Sequence, residues 1–155
     1  MTHDEIRTAV AASQALRDLI PTPEALAAAL SVGRTEVYSR MTSARGLAEL
    51  FPGGPTGAEV VLMKLEGAAA ALKADADPQK KVLGSLLARQ LSFLAGDGLD
   101  FGSTALRGML DYFATQNILT AEEVAGLKGI ATRPAKIDEF EVRKALYADD
   151  GSLRI

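Results

Sequence analysis

TGAEVVLMKLEGAAAALKADADPQKKVLGSLLARQLSFLA, residues 56–95, carries the strongest helical periodicity in the chain. Ala58, Val61, Leu62, Leu65, Ala69 and Leu72 recur at intervals of three and four, which on a helix places them along one face. Thr56 with Glu59 has the spacing of a capping box, in which hydroxyl and carboxylate each cover an N–H of the first turn. Asp77 and Pro78 mark a second start, because a proline at the first helical position lacks an N–H that would have no partner there. Leu83, Leu86, Leu87, Leu91 and Leu94 then form a second stripe, and two facing helices are the natural arrangement.

Upstream, FPGGP at 51–55 reads as a helix stop and an internal hinge. Before it, Thr2 and Glu5 open a helix over 3–19 that Pro21 stops. Thr22 and Pro23 start a second helix through Leu30, a third spans Arg34–Arg40, and Ser43 caps a fourth over Ala44–Leu50. Downstream, GDGLDFG at 96–102 terminates a helix. Ser103 precedes the next, with Leu106, Met109, Leu110 and Phe113, and Tyr112 and Phe113 near Asn117 read as helix-end packing. Thr120 with Glu123 is a third capping box, and Asp138 caps a last helix with Phe140 and Leu146 inward. A polar, frayed end follows from Asp149.

These signals predict an all-α fold of about eight helices, a compact helical bundle with a small N-terminal helical subdomain and no strand. The expected organisation is an N-terminal segment at 1–50, a hinge at 51–56, a C-terminal bundle at 57–148 and a tail at 149–155, all in one globular unit. Leu62, Leu65, Leu83, Leu87, Leu94, Leu110 and Phe113 are the predicted central core. Composition agrees: of 155 residues 48% are apolar, only 5% are aromatic and tryptophan is absent, which suits aliphatic helix packing.

The net charge is −3, and each third of the chain carries −1, so no basic arm draws the protein to a polyanion. Absence of cysteine removes disulfides, thiolate chemistry and zinc–cysteine sites. MTHDEIR lacks the basic start and apolar run of a secretory signal, and no stretch approaches the roughly 18 apolar residues of a membrane span. The expectation is a cytosolic protein with no membrane contact.

ALAAALSVGRTEVYSRM at 25–41 has the spacing of a helix-turn-helix: small Ala27 inside the first helix, Leu30 and Val32 around the turn, Gly33 in it, and Val37 packing back. Arg34, Thr35, Tyr38 and Arg40 would then face a DNA groove. The competing reading is a pair of short packed helices. It is favoured because Glu24, Glu36 and Glu49 are mixed with Arg34, Arg40 and Arg45. GDGLDFG lacks the oxygen spacing of a calcium loop and the glycine spacing of a dinucleotide fingerprint, so it reads as a loop using glycines for positive φ.

His3 is the only histidine and reads as a solvated residue of a terminal helix, which leaves no Ser-His-Asp or multi-histidine arrangement. Glu122 with Glu123, Asp138 with Glu139 and Glu141, and Asp149 with Asp150 are acidic pairs. Most of them are explained by the preference of helix starts for anions. No catalytic residue, metal ligand or cofactor is expected.

ALSVGRT at 29–35, GDGLDFG at 96–102 and GMLDYFATQNILTAEEVAGLKGIATRP at 108–134 resemble a set of short proteins encoded among the virion genes of tailed bacteriophages. The resemblance implies a head, neck or tail accessory protein, or an assembly factor. Such a protein would join other phage structural proteins in an oligomeric assembly, first in the host cytoplasm and then in the virion. The alternative from the residues alone is a helix-turn-helix transcriptional regulator.

Overall fold

The computed structural model describes residues 1–154, with nine helices and four short strands among them. The fold is mainly helical, as the periodicity predicts. Contacts divide the chain into two units: Val37–Arg133, and Met1–Glu36 with the described residues from Pro134 onward.

The continuous unit runs β2 (Met41–Thr42), α4 (Ala44–Leu50), α5 (Gly54–Ala74), α6 (Pro78–Ala95), β3 (Leu99–Asp100), α7 (Thr104–Thr115) and α8 (Ala121–Gly129). α5 and α6 are the two long helices read from 56–95, and they pack together. A Cβ on Gly84 would stand 2.6 Å from the Lys73 nitrogen and 2.9 Å from the Ala69 oxygen, so glycine is what lets α6 lie against the α5 backbone. Val61, Leu65 and Ala69 of α5 meet Leu87 and Leu94 of α6 in the core, with Leu110 and Phe113 of α7 and Leu127 of α8. Of the predicted core, Leu62 is only partly buried against this cluster, and Leu83 is half-buried outside it.

Local chemistry sets most helix ends. Asp77 caps α6 through the Gln79 N–H, Ser103 caps α7 through Leu106, and Thr120 and Glu123 close a capping box on α8. The capping box expected at Thr56 is not formed. Gly53, at φ 94°, turns the chain into a helix that already begins at Gly54 with Pro55 in its first turn, leaving Thr56 inside. Asn117 takes positive φ at 54° and ends α7, where the N–H groups of Ile118 and Leu119 both donate to the Phe113 carbonyl.

The other unit is built from both parts of the chain. It holds α1 (His3–Ala12), α2 (Gln14–Arg17), α3 (Pro23–Ser31) and α9 (Glu139–Leu146), around Ile6, Val10, Leu26, Leu30, Val142 and Leu146. Thr2 and Glu5 form the expected capping box on α1. The single helix predicted over 3–19 is broken at Ser13, which is extended, and Arg17 donates to the Ala11 carbonyl beside the break. Phe140 is 58% exposed rather than inward; Val142, Ala145 and Leu146 share the buried phase of α9. Nor are the last described residues frayed. Asp150 accepts from the Ser152 N–H and hydroxyl, Tyr147 bridges Leu153, and the Arg154 N–H donates to Leu146.

Two further expectations need correction. The helix predicted over Arg34–Arg40 is absent. Thr35–Val37 is strand β1, paired with β4 (Thr132–Pro134), and β2 pairs antiparallel with β3. Gly33, at φ 71°, has already ended α3, and β-branched Thr35 and Val37 suit the extended backbone. The division between units lies at 36/37 and 133/134 rather than at 51–56. Phe51 is buried in the continuous unit, so close to Gly126 that a Cβ there would come within 2.9 Å of its ring. Of the tail expected at 149–155, Ile155 lies outside the described residues.

Candidate functional site

The residues singled out for DNA contact do not share a helix. Arg34 and Thr35 are exposed, and the Arg34 carbonyl accepts from the Ala135 N–H. Tyr38 and Arg40 do come together, at the C-terminal end of α8. Arg40 Nη1 donates to the Tyr38 hydroxyl at 2.9 Å and to the Ile130 carbonyl at 3.2 Å, and the Arg133 guanidinium lies 5.0 Å from the Tyr38 ring centroid. Arg107 Nη1 and the Thr132 hydroxyl both donate to the Lys128 carbonyl, at 3.0 and 2.7 Å. Helix C-termini leave carbonyls unpaired at the negative end of the dipole, and these cations and hydroxyls cover them. Arg40 and Tyr38 thus hold α8 in place. The recognition helix that the DNA reading needs is not formed.

The glycine-rich loop at 96–102 is organised by Asp100. Its carboxylate accepts from the N–H groups of Arg40 and Gly102, at 2.8 and 2.9 Å, and from the Ser39 hydroxyl at 2.9 Å. The Arg40 N–H first, then Gly102 and Ser39, hold its pKa below the usual carboxylate range. Gly98, at φ 94°, and Gly102 lie against the backbones of Thr42 and Tyr38, where a Cβ would collide. The loop fastens β3 to the 38–42 segment and holds no grouping suited to an ion. Among the described residues no group of three or more His, Cys, Asp or Glu side chains is placed to bind a metal. No helix among them is long and apolar enough to cross a membrane. His3 is not simply solvated: its Nε2 lies 2.9 Å from the Glu141 carboxylate on α9.

An apolar groove lies between α6 and α7. Leu83 and Leu86 from one side and Ala105, Met109 and Tyr112 from the other line a depression of about 390 Å³. Leu86 and Tyr112 are 43% and 41% exposed, and Val82 and Phe93 stand out from the same helix at 70% and 46%. Periodicity places Leu83 in the core and Leu86 on the same apolar stripe. The available signal was the width of the apolar surface on α6, where Val82 and Phe93 extend it well beyond the stripe that α5 covers.

Comparison of the chain with protein-family models, with curated proteins and with solved structures found no match.

Proposed function

We propose that this protein is a non-enzymatic structural or assembly component of a tailed-bacteriophage virion, a head, neck or tail accessory protein that works through protein–protein contacts. The observation that carries the contact reading is the α6–α7 groove. Large apolar side chains at Val82, Leu86, Phe93 and Tyr112 stand in solvent, where a partner surface would gain by covering them. The virion part rests on the resemblance of 29–35, 96–102 and 108–134 to phage proteins. The partners are then other phage structural proteins, met in the host cytoplasm and retained in the particle.

The regulator reading is not carried forward, because Thr35–Val37 is a strand and Arg40 and Tyr38 are engaged at the end of α8. Mass spectrometry of gradient-purified particles, with cross-linking, tests the proposal. Recovery of the protein cross-linked to neighbouring virion proteins is the expected result. Its absence from particles of the phage that encodes it would overturn the virion reading.

A further inference from the structure

Beside the α6–α7 groove, the exposed face of α6 carries charge as well as apolar surface. Val82, Leu86 and Phe93 are spaced four and seven residues apart, so they follow one side of α6 for about three turns, roughly 16 Å. Arg89 occupies the turn between Leu86 and Phe93 on the same side. Neither its guanidinium nor the Lys81 ammonium has an ion-pair or hydrogen-bond partner among the described residues. Lys80, the third cation of α6, is already held 3.0 Å from Asp75. α6 contains no acidic residue, and Asp111 of α7 is engaged by Lys128. The stripe is therefore apolar with an unpaired cation set into it.

We infer that this face receives an amphipathic helical segment of a partner protein, with apolar anchors flanked by acidic side chains. The inference rests on the protein–protein reading above and specifies the partner. Anchors three or four residues apart on such a helix match the spacing of Leu86, Phe93 and the groove beside them. Charge selects the occupant. A second copy docked by the same face about a two-fold axis would bring Arg89 no carboxylate from α6, which has none, and a cation covered without a partner is unfavourable. A nucleic acid would answer the cations but leave the groove between Leu83 and Met109 unfilled. An acidic helix fills the groove and gives Arg89 a carboxylate for its planar fork.

The test uses the full chain and two fluorescein-labelled synthetic helical peptides of about four turns. Both carry leucines at the same three-and-four spacing, one with glutamates and the other with lysines at the remaining polar positions. Fluorescence anisotropy should show the glutamate peptide binding at least about tenfold more tightly. Arg89→Glu should reverse that order, and Leu86→Asp should remove binding of both. Both residues are exposed, and an unchanged circular dichroism melt verifies that the variants fold. Failure of both peptides to bind, equal binding of the two, or an order unaffected by Arg89→Glu would overturn the inference. So would self-association in sedimentation that Leu86→Asp abolishes, since the face would then belong to a second copy. Recovery of the protein in particles with both peptides silent would sink the acidic-helix inference alone. Selective peptide binding with the protein absent from particles would sink the virion reading alone.

Discussion

Thr42 is 4% exposed, and its hydroxyl oxygen finds no hydrogen-bond partner among the described residues. A buried hydroxyl stripped of water without compensation costs stability, whereas a methyl of the same shape does not. Thr42→Val should therefore stabilise the protein, by about 1 kcal/mol, as a rise in the midpoint of urea denaturation. Asp100 gives the opposite case. Its pKa is lowered in the fold, so its contribution to stability is complete above the usual carboxylate range and is lost as pH falls through the depressed folded value. Asp100→Asn should lower the urea midpoint at pH 7, and the difference from the parent chain should vanish as both are taken to strongly acidic pH. A constant difference across that range would assign the residue's effect to shape rather than charge. At this scale the sequence is legible where partners are near neighbours: Thr2 with Glu5 and Thr120 with Glu123 form the boxes their spacing predicts. Asp100 was visible as a loop acid, but its acceptance from Ser39 and Arg40 depends on residues about sixty positions away, and no local pattern encodes that meeting.

Two glycines in the paired long helices separate local propensity from packing. Gly67 sits in α5 with nothing within 4 Å of where a Cβ would stand, so Gly67→Ala should stabilise by about 0.5–1 kcal/mol through helix propensity alone. Gly84 in α6 meets α5 backbone at 2.6 and 2.9 Å. Gly84→Ala should cost on the order of 1–3 kcal/mol despite the better propensity, because the helices must separate. Thermal melts of the two variants should shift in opposite directions; a shared direction would mean that the close approach at Gly84 does not limit the pair. Elements were legible where one strong stripe decided them, as at Leu65, Ala69, Leu87 and Leu94. They were not legible at 34–40, because the apolar spacing of Leu30 and Val37 fits a helix pair as well as a helix followed by a strand. The strand is settled by pairing with Thr132–Pro134, distant in sequence. Phe140 was misplaced for a different reason: it is two residues from Val142, about 200° around a helix, so both cannot face one core.

Each unit has a separate buried cluster, and the two clusters are closed in different ways. In Val37–Arg133 every buried apolar residue, from Leu47 to Ala131, comes from one uninterrupted stretch. In the other unit Ile6, Val10, Leu26 and Leu30 from the first part of the chain need Val142, Ala145 and Leu146 of α9 to complete their core. That partition was not legible, because composition and charge are even along the chain and a core shared between distant segments leaves no mark at any one of them. It nevertheless makes a prediction. A fragment spanning 37–133 keeps the whole of its core, including Phe113 and Leu127, and at about a hundred residues it is of a size that folds alone. It should show a helical circular dichroism spectrum and a cooperative thermal transition. A fragment spanning 1–36 loses the faces that cover Ile6 and Leu26, and its helices are each shorter than the length at which isolated helices persist in water. It should be largely unstructured by the same measurement, and adding a synthetic peptide spanning 134–155 should restore helix content. Failure of 37–133 to fold would show that its stability depends on residues outside it, and a helical 1–36 without α9 would show that Val142 and Leu146 are dispensable to that core.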